Sequence, residues 1–528
     1  MDTVDLSIFS SRLDAVSDEM GAVLQRAAFS PNIRDRLDFS CAIFDANGQL
    51  CAQAAHIPVH LGSMAYAMAD IVRRIDWQPG DMVIVNDPYL GGTHLPDVTV
   101  IAPLFIQGEL LAFVTNRAHH ADIGAESPGS MPISRSLEEE GLVLAPVKLV
   151  NAGQLDTALL DEIVGRVRSG AAGRGDFAAQ MSANRAGLGR LAELVGAAGS
   201  ATFVSGLAEL NDYAERLARD ALSVIPDGEY RFVDYLDDDG LGHTDLAIAV
   251  TLQVRNGEVT VDFTGTAPQT PGNVNCPLSV AAAGVYYVFR CLMPAQTPAC
   301  AGSFRPITLS APPGCLVNAQ RPAAVAAGNV ETSSRIVDAV LGALARALPE
   351  RIPAASHGSM NNLAMGHAGG QTGVPGWDYY ETIGGGMGAG RHGGGLSGIQ
   401  THMTNTRNTP LEVLESSYPL RLRRYALRRG SGGAGQRRGG DGLIREFEFR
   451  APASVTLLTE RRTHAPWGLA GGEAGQPGVN RLNGQPLLGK INLDVKEGDV
   501  LTIETPGGGG YGQRRAEGRV TRDEEKRQ

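Results

Sequence analysis

Apolar residues recur at three- and four-residue steps through Leu6, Phe9, Leu13, Val16, Met20, Val23 and Leu24, which predicts an amphipathic helix over residues 5–28. The period then drops to two. Residues 38–44 alternate as a strand, Asp45-Ala46-Asn47-Gly48 is a hairpin turn signal, and residues 49–53 form the return strand. A second helix is expected over 63–75, and residues 81–115 give strand, loop and strand. Residues 155–225, dominated by Ala, Leu, Arg and Glu at helical period, form a helical segment. Alternation returns in 231–236, 245–254 and 258–263, with Asn256-Gly257 as another hairpin turn. Helices over 281–293 and 334–347 follow. The glycine-rich region and residues 446–503 are expected to be mainly β, the latter with turns at Asn483-Gly484 and Glu497-Gly498.

This order of elements predicts an α+β (mixed α/β) fold with mixed sheets, in several domains. The expected division is an N-terminal α/β region over 1–150, a helical segment over 151–228 and a mixed α/β region over 229–350. A glycine-rich region over 351–445, a mainly β region over 446–512 and a disordered tail over 513–528 complete the chain. The length of 528 residues agrees, being too great for one ordinary core and suited to about two to four domains.

Composition narrows the function. A net charge of −11 argues against nucleic acid as the main partner, because phosphate binding rests on excess Lys and Arg. No window supplies the ~18 uninterrupted apolar residues of a membrane helix. Asp2, Asp5 and Asp14 stand where a signal peptide needs positive charge, so a cytoplasmic protein is expected. The cysteines Cys41, Cys51, Cys276, Cys291, Cys300 and Cys315 match no metal or redox spacing and are expected to be reduced core residues. Sixty-seven glycines cluster in 366–398, 430–442 and 507–510.

Two segments carry the candidate chemistry. Asn86-Asp87-Pro88 runs through Thr93-His94-Leu95-Pro96-Asp97, and Arg117-Ala118-His119-His120-Ala121-Asp122 follows. Each lies beside an apolar run, Met82 to Val85 for the first and Leu110 to Thr115 for the second. Neighbouring strands ending in such loops would point imidazoles and carboxylates into one cleft, a donor set suited to zinc, manganese or iron. Alternate side chains on an extended chain face opposite ways, so only one of His119 and His120 can point at a shared ion. His56 and His60 are four apart, a metal spacing on a helix; Pro58 between them argues against that helix, although both share one face of an extended segment. Gly484 to Lys490 has P-loop spacing, but Ile491 stands where Ser or Thr must hold magnesium, and no nucleotide site is expected. The polar run from His402 to Glu412 offers amides, hydroxyls, a guanidinium and a carboxylate, groups suited to orienting a carbonyl or imide. Asn405, Arg407, Asn408 and Glu412 are expected to line a substrate cleft facing the metal.

The chain resembles the hydantoinase B family, which includes the matching half of 5-oxoprolinase and one subunit class of acetone and acetophenone carboxylases. The resemblance runs through Arg36 to Asp45, His56-Ile57-Pro58-Val59-His60, Asn86 to Asp97 and His119 to Gly124. It continues through Ser127-Pro128-Gly129-Ser130, Asn273-Val274-Asn275, His402 to Glu412, Pro466-Trp467-Gly468 and Gly507 to Gly512. It implies an ATP-dependent hydrolase acting on cyclic amides or imides of the hydantoinase or oxoprolinase type. ATP would be used by an A-type ATPase subunit that phosphorylates the substrate, in a heterotetramer or larger assembly. This chain would be the B-type subunit, in which metal-activated water hydrolyses the phosphorylated substrate. The resemblance implies Asp38, His94, Asp97 and His119 as metal ligands, and leaves His120 and Asp122 as groups that support the ligands or transfer protons. A subunit of an ATP-dependent ketone carboxylase, or a non-catalytic partner that stabilises the A-type subunit, are the alternatives.

Overall fold

The computed structural model describes residues 1–54, 57–168, 170–369 and 376–514. Its N-terminal part begins with helix α1 (Thr3–Ala27) and the short α2 (Pro31–Arg34). Asp2 caps α1, its carboxylate accepting from the Asp5 amide. Strands β1 (Phe39–Asp45) and β2 (Leu50–Ala54) form the expected hairpin. Helix α3 (Pro58–Arg73) begins five residues before the expected start, because Pro58 occupies the first helical turn, where a missing N–H costs nothing. His60 therefore sits on a helix; His56 lies outside the described residues.

The segment expected as strand, loop and strand holds three strands: β3 (Met82–Val85), β4 (Asp97–Ile106) and β5 (Glu109–His119). β4 separates the other two, so the strands flanking the two histidine loops are not neighbours. With β6 (Val147–Asn151) and β7 (Gln154–Leu155) they build an antiparallel sheet ordered β2-β1-β5-β4-β3-β6-β7. Helices α4 (Thr157–Gly165), α5 (Gly170–Ala198) and α6 (Ser200–Leu222) form the expected helical segment. Val98, Val100 and Ala102 of β4 pack with Leu13 and Met20 of α1 and Phe177 of α5. Ile101 and Phe113 face the other way, onto Met64, Met68 and Ile71 of α3. Both faces of the sheet are covered, which explains its nearly continuous apolar runs. Among the described residues no single helix is long and apolar enough to cross a membrane.

Strands β8 (Gly228–Asp238), β9 (Thr244–Arg255), β10 (Glu258–Asp262) and β11 (Ile307–Ser310) form a mixed sheet, β10 and β11 being parallel. It shares a core with α7 (Leu278–Leu292) and α8 (Ser333–Ala347). A buried π-helical turn, Gly328–Thr332, leads into α8. The remaining strands are β12 (Asn362–His367), β13 (Trp377–Glu381), β14 (Leu420–Arg428), β15 (Gly442–Phe449) and β16 (Ala453–Leu458). They are followed by β17 (Val479–Leu482), β18 (Gln485–Leu487), β19 (Lys490–Val495) and β20 (Val500–Glu504). Two sheets result, β13-β12-β16-β19 and β14-β15-β20-β17-β18. The segment with P-loop spacing begins in the turn joining β17 to β18 and runs through β18 to the first residue of β19.

The expectation of a mainly β glycine-rich region is corrected. Between β13 and β14 the chain holds only the short helix α9 (Leu411–Ser417) and an isolated bridge, Gly385 to Ile399. Instead, the three glycine clusters meet as crossing extended segments. The Gly440 amide donates to the Met387 carbonyl, Gly508 to Gly440, and Gly433 to Gly508, each within 2.9 Å. The backbones touch so closely that a Cβ at Gly440 would lie 1.8 Å from the Leu396 carbonyl oxygen. Close approach of this kind accounts for the glycine content.

Candidate metal centre

Asp97 and His119 are direct cross-strand partners, at the first residue of β4 and the last of β5. The His119 amide donates to the Asp38 carbonyl at 3.0 Å, which fixes Asp38 just before β1. His94 lies in the loop entering β4, and Asn86 fastens that loop. Its side-chain amide donates to the carbonyls of Leu95 and Leu142, at 2.8 and 2.9 Å, and its oxygen accepts from the Leu144 amide. Gly92 is obligatory here, since a Cβ would stand 2.2 Å from the Asn86 carbonyl oxygen.

His94, Asp97 and His119 each offer a ligand atom, and these atoms lie within 4.8 Å of one another. Asp38 and His60 line the same cavity, together with Asn329, Tyr380, Thr382, Met403, Thr404 and Thr406. All four residues expected as metal ligands are thus brought together. His60 joins them from the first turn of α3, its Nε2 3.2 Å from Asp97 Oδ1 and 3.9 Å from Asp38 Oδ1. The Pro58 start of α3 is the signal that could have placed it.

The donors fit a cation. His94 Nε2, Asp97 Oδ1 and His119 Nε2 are buried and turned toward one another; His94 Nε2 stands 3.3 Å from Asp97 Oδ2 and His60 Nε2 3.2 Å from Asp97 Oδ1, contacts of ion-pair type around one cavity. His94 Nδ1 lies 3.3 Å from the Ala326 carbonyl, which can only accept, so Nδ1 carries a proton and Nε2 is the atom turned to Asp97 Oδ2. His119 Nδ1 accepts from Asn32 Nδ2 at 3.2 Å, which leaves the proton of the neutral ring on Nε2, so holding an ion there requires Nε2 to give up that proton or the Asn32 amide to turn. The His119 ring stacks on Tyr380 at 4.7 Å, and the Arg36 guanidinium lies 5.0 Å from the centre of that tyrosine ring. Asp97 Oδ2 accepts from Thr93 Oγ1 at 2.6 Å and Asn329 Nδ2 at 3.3 Å.

Electrostatics follow from burial and pairing. Burial pushes the Asp38 carboxyl up and the His119 imidazole well down. Burial opposes ionisation of Asp97 too, but His60 and His94 outweigh it and hold the carboxyl well below its usual range. His94 is likewise desolvated, yet Asp97 raises it overall.

Neither residue expected to transfer protons lines this cavity. His120 points to the other face of the strand end, as alternation requires, with Nε2 3.0 Å from Gln180 Oε1 and its ring 4.6 Å from Phe177. Asp122 ties a loop, accepting from the Gly124 amide, Ser130 Oγ and Arg168. The residues expected in the substrate cleft are divided. In the segment after His402, Met403, Thr404 and Thr406 line the small cavity; Arg407 and Asn408 line a separate cavity of about 710 Å³, and Asn405 lines both that one and a cavity of about 500 Å³ that Thr404 also reaches. Glu412 is exposed on α9 and lines none of them. Thr404 Oγ1 is buried without a partner. Thr404→Val is therefore expected to slow turnover about tenfold, while Glu412→Gln leaves kinetics unchanged. Steady-state assays of both variants decide this; equal effects would refute the assignment.

Beside the cavity, Glu331 Oε1 accepts from Asn362 Nδ2 and the Met360 amide, and burial, reinforced by Glu460, pushes its carboxyl up to about 8. Its ordinary value is 4.5, so between these values the folded chain keeps a proton that the unfolded chain has lost. Stability from this group is present below about 4.5 and declines as pH rises to about 8. Glu331→Gln is expected to flatten that decline in urea titrations at about pH 5 and about pH 8. An unchanged difference between the two would count against it.

An antiparallel sheet whose strand ends gather buried histidines and carboxylates defines a candidate metal centre, and the comparisons give the family that carries it. The family profile described as Hydantoinase B/oxoprolinase matches residues 2–514. The chain belongs to that family. It is 40% identical to 5-oxoprolinase 1 of Arabidopsis thaliana over 97% of its length, while spanning only 42% of that relative. It is 34% identical to a protein of Pseudomonas sp. named as the B-type subunit of a D-/L-hydantoinase, covering 97% of this chain and 90% of the other. Among solved structures, the ATP-dependent caprolactamase of Pseudomonas jessenii superposes with a TM-score of 0.90 at 29% identity, covering 97% of this chain and 91% of that one.

Proposed function

We propose that this chain is the metal-bearing B-type component of an ATP-dependent hydrolase of cyclic amides or imides. Its partner would be an A-type ATPase subunit that phosphorylates the substrate's carbonyl oxygen, in a heterotetramer or larger assembly. The observation that carries the reading is the trio of buried ligand atoms on His94, Asp97 and His119, all within 4.8 Å of one another. The names of the relatives support the substrate class and the requirement for ATP, and the name of the hydantoinase relative supports a partner subunit.

His94, Asp97 and His119 would hold the ion with Asp38 beside them, and zinc, manganese and iron all suit that donor set. When bound, such an ion lowers the pKa of water toward neutrality and polarises a carbonyl oxygen. The chain's own groups do the remaining work. Thr93 and Asn329 fix the Asp97 carboxylate by hydrogen bonds to Oδ2. His60 would take a proton at Nε2, since it lines the cavity and His120 and Asp122 do not. Tyr380 and the Ala326 carbonyl set the two ring orientations.

The test is purification with the A-type partner, metal analysis, and ATP-dependent turnover of hydantoins, oxoproline, lactams and ketones. Ring-opened product without incorporation of labelled bicarbonate is expected. Label in the product would replace hydrolysis by carboxylation, and a metal-free chain without effect on turnover would make it a passive partner.

A further inference from the structure

The cavity enclosed by His94, Asp97 and His119 measures about 20 Å³, enough for about one water-sized species. A benzene-sized ring needs on the order of 150 Å³. If the chain hydrolyses cyclic amides, the ring must therefore lie outside this cavity, with only its reacting edge reaching in. A second cavity, of about 500 Å³, shares a wall with it. Thr404 lines both; Pro58 and His402 face the larger space, while Ile57, Val59 and Met403 face the smaller.

The larger cavity is built for an uncharged ring. Tyr287, Val288 and Leu292 of α7, Leu341 of α8, Ile352 and Met387 supply an apolar wall. His402 lies in the same lining with its side chain only 9% exposed. Its Nε2 is 3.4 Å from Asp338 Oδ1, a long ion-pair contact. The other Asp338 oxygen is held by Arg461. A buried imidazole held by a carboxylate thus borders an apolar chamber of ordinary ligand size. The larger cavity has one arginine, Arg351, in its lining, whereas the cavity lined by Arg407 also takes in the buried Arg445, paired with Glu381.

We propose that the cavity lined by Tyr287, Leu341 and His402 binds the ring of a small lactam, with His402, oriented by Asp338, hydrogen-bonding its amide edge. The proposal rests on the cyclic-amide reading above, but it can be tested by binding alone. Cys291 lines this cavity and is exposed, whereas the other five cysteines are buried, so a bulky maleimide can be directed to it. In the chain purified with its partner, saturating caprolactam is expected to slow Cys291 labelling about tenfold, followed by intact-protein mass. Labelled protein, and the cavity-filling variant Val288→Phe, are expected to show a Michaelis constant for caprolactam raised about tenfold with metal content unchanged. Labelling that ignores caprolactam, together with an unaltered Michaelis constant after labelling, would overturn the proposal while leaving metal-dependent hydrolysis intact. Absence of metal and of ATP-dependent lactam turnover would instead remove the hydrolase reading, and protection of Cys291 would still decide whether the cavity takes a lactam. If Val288→Phe does not fold, the labelling experiment on unaltered protein stands by itself.

Discussion

Replacing His94 and Asp97 together by Ala is expected to abolish ATP-dependent product formation, a loss of roughly a thousandfold or about 4 kcal/mol of transition-state stabilisation. The two residues supply adjacent ligand atoms in one cavity, and removing both takes away two of the three clustered ligands, leaving His119 with Asp38. Asp97 also accepts from Thr93 and Asn329 and lies 3.2 Å from His60, so its loss frees the neighbouring groups as well. The control is the partner's ATP hydrolysis, which should persist because the altered residues belong to this chain. Metal analysis of the folded double variant should show the ion gone. Retained turnover in a folded variant shown to be metal-free would end the metal-dependent reading.

The second large effect concerns stability. Gly440→Ala places a methyl group 1.8 Å from the Leu396 carbonyl oxygen, where only backbone can move. Because Gly440 also bonds to Met387 and Gly508, the strain spreads through all three glycine clusters. Overpacking costs typically 1–3 kcal/mol, and a clash with rigid backbone belongs at or beyond about 3 kcal/mol. Gly393→Ala is the matched control: a Cβ there meets nothing within 4 Å. Urea denaturation should separate the two by about 3 kcal/mol. Equal midpoints would mean that the crossing segments are looser than they stand.

Much of the candidate site is legible in the amino-acid sequence. His-x-x-Asp and His-His-x-Asp beside apolar runs point to the metal candidates, and face alternation says that only one of His119 and His120 can join them. Asp38 comes from family resemblance alone, because a carboxylate just before β1 has no spacing relation to residues more than fifty positions away. His60 is obscured by Pro58, which reads as a helix breaker where it is a helix starter. The cleft residues are only partly those expected: Thr404 and Thr406 reach the candidate centre, Asn405 lines the cavity of about 500 Å³ beside it, and the conspicuously polar Arg407 lines another cavity.

The sequence by itself determined the mixed α+β class, most helices and hairpins, and the chemistry on offer, because these depend on short-range periodicity and side-chain type. Tertiary structure alone decided that β4 would lie between β3 and β5, pairing Asp97 with His119. It also decided that Asn329, Tyr380 and Thr404, hundreds of residues from His94, would close the cavity, and that three separate glycine clusters would cross one another. Strand order and backbone crossings are contacts between distant segments, set by which surfaces bury together, and no local pattern records them.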